Sequence, residues 1–580
     1  MTKLRTFKLP TLVPTRSCRS DSVEEFGLST VACIVFLFCI SAAIASPAQT
    51  FTTLHNFDGT DGAVPTFVSL VQGVDENFYG TTAEGGANND GTVFKITPTG
   101  TLTTLHSFDS TDGQLPYAGL IQAANRNFYG TTIGGGANGY GTVFKITPAG
   151  GLTTLYSFCA QTNCVDGRTP TGALALGTDG NFYGITGYGG TNCTTPPWVG
   201  CGTVFKITPA GKLTTLYSFC AQTNCTDGFY PGASLVQATD GNFYGTTGYG
   251  GTNSYGTVFK ITPGGTLTTL HSFDLTDGES PSAPLIQATD GNLYGTAYYG
   301  GANDNCIYGT CGTVFKITPG GTLTTLHSFD STDGANPEAP LVQATDGNFY
   351  GTTDFGGANG DGTIFQITPA GTVTTLHSFD STDGDIPDDG LVQATDGNFY
   401  GTANFGGTNG DGTVFSLSTG LGPFVETQPS SGKVGAATII LGTNLTGTTS
   451  VSFNGTAATF TVVSSSEITT TVPTGATTGK VSVTTPTRTL KSNVAFRVTP
   501  QILSFTPPSG PVGTSVTITG VSLTQTKIVT FGGVKATSFT VNFDTQVTAT
   551  VPTGAKTGKI GIVTLGGTAA SATSFTVTTQ

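Results

Sequence analysis

Between residues 51 and 418 the apolar residues fall in short runs rich in Val, Ile, Thr, Tyr and Phe, each cut by Gly, Pro, Asn or Asp. Outside the N-terminus no long stretch carries apolar residues at helical spacing, so the pattern predicts strands and turns. Residues 339–379 read APLVQATDGNFYGTTDFGGANGDGTIFQITPAGTVTTLHSF. Four strand-like runs stand out, PLVQAT, NFYGTT, GTIFQIT and TVTTLHSF, here called a, b, c and d. TDG joins a to b and PAG joins c to d as tight turns, with Gly supplying a positive φ. Four short antiparallel strands per unit describe a propeller blade rather than a solenoid coil.

This unit recurs. NFYG begins at Asn77, Asn127, Asn181, Asn242, Asn348 and Asn398, and NLYG at Asn292, at intervals of 50, 54, 61, 50, 56 and 50 residues. The repeat is out of phase with the chain. Residues 51–57, FTTLHNF, are a d run with no a, b or c before them, and residues 391–418 hold a, b and c but no d. Together the two fragments make one blade. The expectation is a closed seven-bladed β-propeller in which residues 51–57 pair with 412–418, leaving no free edge. The "strand, DG, N-[FL]-Y-G" pattern is similar to the blade start of NHL-like and lyase-like propellers, which implies that run a is innermost. The seven copies together resemble the GloVer tandem-repeat proteins, called "choice-of-anchor". That resemblance implies the propeller and an exported location, and no defined activity. The chain ends FTVTTQ, without the apolar tail, sorting motif or basic stop that the family label suggests.

A second self-similarity follows Gly420. PSSGKVG at 429–435 matches PPSGPVG at 507–513, and VPTGATTGK at 472–480 matches VPTGAKTGK at 551–559, an offset of 78–79 residues. Each unit has about seven short alternating runs, which suits a small β-sandwich. Both resemble IPT/TIG domains, which are immunoglobulin-like modules. The predicted organisation is a leader at 1–45, the propeller at 46–420, and Ig-like domains at 421–499 and 500–580, the last two read as spacers.

Charge narrows the partners. A net charge of -14 with scattered lysines offers no basic face for phosphates, which argues against nucleic acid. Residues 29–45, STVACIVFLFCISAAIA, follow Lys3, Arg5, Lys8, Arg16 and Arg19 and end on a small-x-small pattern. They read as an export signal cut after Ala45, with an uncleaved anchor as the other reading. The expected location is therefore secreted or cell surface, and contact with a membrane is expected only through that segment.

Candidate chemistry is sparse. His55, His106, His271, His327 and His377 share one position of run d, which is Tyr156 and Tyr217 in the other copies. A position that accepts both ring types predicts packing with a polar tip, not catalysis. The d–a loops each carry an Asp-Gly, at Asp61, Asp112, Asp166, Asp227, Asp277, Asp333 and Asp383. Their D-x-x-D-G spacing predicts Asx-turns, with calcium as a weaker alternative. No nucleophile elbow, P-loop or zinc spacing occurs, so no catalytic residue, cofactor or metal ligand is assigned. Glu84, Glu279, Glu338, Asp354, Asp385 and Asp388 are unrepeated carboxylates in loops, some of which could line the channel mouth.

In a meander blade the d–a and b–c loops share one face. One b–c position reads Glu84, Gly134, Tyr188, Tyr249, Tyr299, Phe355 and Phe405, and an Asn follows four residues on in every copy. These repeated positions read first as blade-to-blade packing and loop pinning. They are also candidates for a ligand surface of ring faces beside amides, together with the unrepeated Trp198, Tyr230 and Tyr308. Eight cysteines fall in the inserted loops of the same face as local pairs: Cys159–Cys164, Cys193–Cys201, Cys220–Cys225 and Cys306–Cys311. In an exported chain these read as disulfide staples. The functional expectation is an exported binding protein that recognises a glycan or protein ligand on that face. A lyase- or lactonase-type enzyme at the central channel ranks second, and a purely structural surface protein third.

Overall fold

The computed structural model describes residues 49–67, 69–192, 200–306 and 309–579. Among these, strands dominate, and no helix is long and apolar enough to cross a membrane. Seven four-stranded antiparallel sheets follow one another in the order a-b-c-d. Blade 1 comprises Val71–Gln72, Phe78–Thr82, Thr92–Ile96 and Leu102–Ser107. Blade 7 comprises Val392–Gln393, Phe399–Ala403 and Thr413–Ser418, and its d strand is Thr50–Asn56 from the start of the described chain. The expected closure is observed, with Phe51 opposite Leu417 and Asn56 opposite Thr413. The fold is a seven-bladed β-propeller.

The repeated residues hold blade to blade. Phe of strand b stacks on Tyr of the preceding blade's strand b, with centroids 4.0 Å apart for Tyr79–Phe128 and 3.9 Å for Tyr183–Phe243. Phe78 closes the ring on Tyr400 at 4.0 Å. In blade 5 Leu293 takes the Phe position and packs with Tyr244. In six blades the Tyr hydroxyl donates to the a–b turn carboxylate, as Tyr244 does to Asp240 at 2.8 Å, and in blade 2 Asn125 Nδ2 donates to the Tyr129 hydroxyl at 3.0 Å, so the turn is also an anchor. The Gly that opens strand c meets the next blade's proline. A Cβ on Gly412, whose φ is +98°, would lie 2.8 Å from Pro65 Cδ and 2.6 Å from the Ala403 carbonyl oxygen. Only glycine fits that close approach.

Two β-sandwiches of identical topology follow. Their four-stranded sheets run Glu426–Gln428, Ala437–Leu441, Glu467–Thr471, Phe460–Val462 and, in the second, Gln501–Thr506, Ser515–Val521, Gln546–Thr550, Phe539–Phe543. Each faces a five-stranded sheet across its own buried apolar core. The first sandwich sits on the a–b turn face of the ring. Arg126 pairs with the buried Glu467 at 2.6 Å, Ser466 Oγ donates to the Val74 carbonyl at 2.8 Å, and Phe424 N–H donates to the Thr395 carbonyl at 3.0 Å. The d–a and b–c loops are on the opposite face.

Candidate functional site at the channel mouth

The chain turns into each strand a through a strained residue followed by proline. Val64, Leu115, Thr169, Tyr230, Ser280, Asn336 and Ile386 all have φ between 50° and 58°, although β-branched and bulky residues avoid that region. Hydrogen bonds on both sides hold them there. Tyr230 N–H donates to the Cys201 carbonyl at 2.9 Å, and its own carbonyl accepts from Gly248 N–H at 3.0 Å. The same second bond ties the residue after strand b to the pre-proline residue in every blade, including Asp354 to Asn336 at 3.3 Å and Asn404 to Ile386 at 3.1 Å.

Two inner positions per blade are thereby placed around the channel by backbone alone. The first is the residue after strand b: Ala83, Ile133, Gly187, Gly248, Tyr298, Asp354, Asn404. The second follows the proline and includes Tyr117, Thr171, Gly232, Ser282, Glu338 and Asp388. These second positions, with Ile133 alone of the first, line a cavity of 440 Å³ at the d–a and b–c end of the channel, lined from all seven blades and including Phe67, Tyr117, Tyr230, Glu338 and Asp388.

The wall is lopsided. Blades 1 to 4 present Ala, Ile and Gly after strand b, whereas blades 5 to 7 present Tyr298, Asp354 and Asn404. Glu338 and Asp388 stand beside them, and Asp389 replaces the buried alanine of neighbouring blades and accepts from Thr402 Oγ1. Asp354 is 3% exposed and Asp388 5%. Burial and the nearby Asp388 charge push Glu338 up to about 8. Burial pushes Asp388 up to about 7, against bonds from Asn404 Nδ2 at 2.6 Å and the Phe67 N–H. Asp354 lies well above the usual carboxylate range through burial and the neighbouring carboxylates. The Glu338 and Asp354 side chains are within hydrogen-bonding reach of each other, and a proton shared between two adjacent carboxyls relieves their repulsion. Such a set can hold protons near neutrality, donate and accept hydrogen bonds, and attract a cation.

The pattern of the Gloeobacter/Verrucomicrobia repeat matches residues 42–237, 198–415 and 307–463, well over half of the chain. The chain belongs to the Gloeobacter/Verrucomicrobia repeat family. This repeat protein also matches the IPT/TIG domain at residues 500–578. No curated protein matches it. Solved structures that resemble it include virginiamycin B lyase from Staphylococcus aureus, 14% identical, covering 64% of this chain and 99% of that one with a TM-score of 0.42. The extracellular domain of a putative hybrid two-component system from B. thetaiotaomicron is 12% identical, with 89% and 65% coverage and a TM-score of 0.42. A fungal alcohol oxidase of the AA5 family, in complex with copper, is 13% identical, with 74% and 98% coverage and a TM-score of 0.42. Nothing of their chemistry is carried to this repeat protein.

The sequence-derived candidates separate in space. Tyr230 lines the cavity and stands edge-on to Tyr188, centroids 5.2 Å apart, and 5.9 Å from Tyr249. Arg168, which residue patterns did not single out, lies over the rings of Tyr188 and Tyr140 at 5.4 and 5.6 Å. Tyr299 packs edge-on to Tyr298. Phe355 lines a separate 670 Å³ depression beside Cys306 and Asn359. Tyr249 and Phe405 are exposed. The repeated b–c position is a backbone bridge to the d–a loop in all seven blades, such as Arg168 to Tyr188 and Asp385 to Phe405. Blade-to-blade packing falls mainly to the strand-b Tyr and Phe, and Tyr188 of blade 3, edge-on to Tyr230 of blade 4, adds to it. Trp198, Tyr308, Cys193 and the leader lie outside the described residues.

The repeated Asn pins its loop. Asn253 Nδ2 donates to the Phe273 carbonyl at 3.0 Å and Asn409 to that of Phe57 at 2.8 Å. The His position has a partner that spacing did not suggest. His55 Nε2 lies 2.7 Å from Asp61 and His271 2.7 Å from Asp277, while Tyr156 and Tyr217 hydroxyls donate to Asp166 and Asp227 at 2.7 Å. His and Tyr interchange because either brings a hydrogen-bonding ring tip to the loop aspartate. Short loops add an Asx-turn, in which Asp109 accepts from Thr111 N–H and Oγ1. Long loops carry disulfides Cys159–Cys164 and Cys220–Cys225, and Cys306–Cys311 staples a b–c loop. Cys201 is also disulfide-bonded.

Proposed function

We propose that this repeat protein is an exported binding protein that takes a glycan or peptide ligand into the channel-mouth cavity. The observation that carries the reading is the 440 Å³ cavity, with Phe67, Tyr117 and Tyr230 in one lining with the Glu338 and Asp388 carboxyls, on the face away from the docked sandwich. Apolar rings beside a few convergent polar groups suit a ligand with both ring faces and hydroxyl or amide edges. The stapled loops of blades 3 to 5 rim this side, and Tyr188, Tyr249, Tyr299, Phe355 and Phe405 extend the surface, with Trp198 and Tyr308 in its longest loops. Cleavage after Ala45, a propeller at 46–420 and Ig-like spacers at 421–499 and 500–580 belong to the same proposal. Glycan arrays and pull-downs with the full chain test it. Binding is expected to fall at least 10-fold in Tyr230→Ala and Tyr117→Ala. Binding that persists in both variants and is lost in Trp198→Ala or Phe355→Ala would move the site to the rim.

A second reading, an acid–base enzyme at the channel, is favoured by the Glu338–Asp354 pair, within hydrogen-bonding reach of each other beside the cavity. Chemical turnover of a bound ligand that disappears in Glu338→Gln would select it.

A further inference from the structure

Resting on the reading that the cavity binds a ligand, the acid wall narrows the ligand's chemistry. Glu338 and Asp388 line the cavity, and Asp354 is within hydrogen-bonding reach of Glu338. Among the described residues no Lys, Arg or His forms an ion pair with any of the three. The amide of Asn404, 4% exposed, donates to Asp388, which puts its other end, Oδ1, in the same cluster, where it is buried without a partner. Asp354 Oδ1 is likewise buried and without a partner. The wall therefore has carboxyls without a countercharge and buried acceptors without a donor. Such groups are unfavourable unmatched, and a guest that brings N–H donors and positive charge gives Glu338 and Asp388, which line the cavity, the countercharge they lack.

A bare metal ion fits less well than an organic cation. Ligands around one ion with metal–oxygen bonds of about 2.4 Å must lie within about 4.8 Å of each other. Among the described residues the only trio of Cys, His, Asp or Glu ligand atoms that close is Cys201, Cys220 and Cys225, all disulfide-bonded. The carboxyls are spread more widely. An ammonium group, with three donors and hydrogen bonds of about 2.8 Å, bridges a wider set. In the same lining the Phe67 and Tyr117 rings lie 6.1 Å apart, and Tyr230 joins them. Such faces attract a cation that the carboxylates hold in place.

We propose that the wall of Glu338, Asp354 and Asp388 receives a protonated primary amine of the ligand, so that the cavity selects amine-bearing ligands over their uncharged counterparts. The ammonium displaces protons from the carboxyls, and affinity rises from pH 6 to pH 8. Around the three acids the titratable groups are Asp389 on the same turn as Asp388, Tyr298 on blade 5, Tyr230 on blade 4 and Tyr117 on blade 2, with Glu84 of blade 1 beside Tyr117.

Calorimetry on the full chain tests this with glucosamine, Nα-acetyl-lysine amide and spermidine, each beside its N-acetylated form, in two buffers of different ionisation heat at pH 7. The three amines separate an amino sugar, a peptide side chain and a polyamine as sources of the same group. The expected result is one amine binding at least 10-fold more tightly than its acetylated form, with proton release, and a loss of at least 10-fold in both Asp388→Asn and Glu338→Gln. Thermal melts of both variants establish that they fold. Equal binding of amine and acetylated forms, absence of proton release, or Asp388-dependent binding of calcium alone would each overturn the proposal. Neutral glycan binding that depends on Tyr230 would overturn it while leaving the cavity reading intact. Absence of any Tyr230- or Tyr117-dependent ligand would remove both.

Discussion

Blades 1 to 4 and blades 5 to 7 share strands, turns and inter-blade contacts, and they differ at the inner wall. After strand b the first group carries Ala83, Ile133, Gly187 and Gly248, and the second Tyr298, Asp354 and Asn404. The backbone bond that places this residue is the same in both, as for Gly248 to Tyr230 and Asp354 to Asn336. The ring is a symmetric frame whose asymmetry lies in the inserted loops at its rim and, at the inner wall, in a few side chains. Acidic residues are tolerated there because the frame, not their own interactions, holds them.

The frame should respond alike in both halves. Gly141 and Gly362 have φ of +96° and +101°, and a Cβ on either would meet the carbonyl oxygen of the preceding strand b and the next blade's proline. Gly141→Ala and Gly362→Ala should each lose at least ~2 kcal/mol in urea melts. A large difference between them would break the claim of a symmetric frame. Next in size, the Cys159→Ser/Cys164→Ser double variant should lose roughly 2 kcal/mol by chain entropy, with no effect of reductant on the short d–a loops, which have no disulfide.

The wall should respond in one half only. Glu338 and Asp388 are raised to about 8 and about 7 from ordinary values of 4.5 and 3.8. Between those limits the folded chain binds more protons than the unfolded one. Stability therefore falls as pH rises through this window, by ~1.4 kcal/mol per pH unit for each full proton of difference. Glu338→Gln should flatten that slope between pH 5 and 8. Conversely, Gly248→Asp places a carboxyl at the position of Asp354 in the other half, and it should cost about 1–3 kcal/mol at pH 8 and less at pH 5. The smallest effect concerns strand d. His271→Tyr should stay within ~0.5 kcal/mol, because Tyr217 already makes the equivalent bond, whereas His271→Phe should lose about 1 kcal/mol with the bond to Asp277.

The fold was legible because its cause is repeated. Every copy states the same Tyr and the same Asn, most add the same Phe and turn glycines, and the orphan FTTLHNF run told where the ring closes. The acid wall was less legible. Glu338, Asp354 and Asp388 read as scattered loop carboxylates, since Glu338 and Asp388 share one repeat position and Asp354 holds another, and only adjacent blades bring them together. A register comparison carried a usable signal: within a constant frame, the residue after the proline and the residue after strand b change identity from copy to copy. The partner of the ring at His271 was hidden for another reason, because its carboxylate belongs to the turn that follows the strand.

The blade, the number of blades, the closing strand and the staples Cys159–Cys164, Cys220–Cys225 and Cys306–Cys311 follow from the order of residues alone, because they depend on local turns and on pairings repeated every 50 residues or so. Which side chains meet depends on how the blades pack in three dimensions. The channel mouth gathers one or two residues from each blade, and the first sandwich covers the opposite face through Arg126, Val74 and Thr395. Such contacts join residues hundreds of positions apart, and no local pattern encodes them.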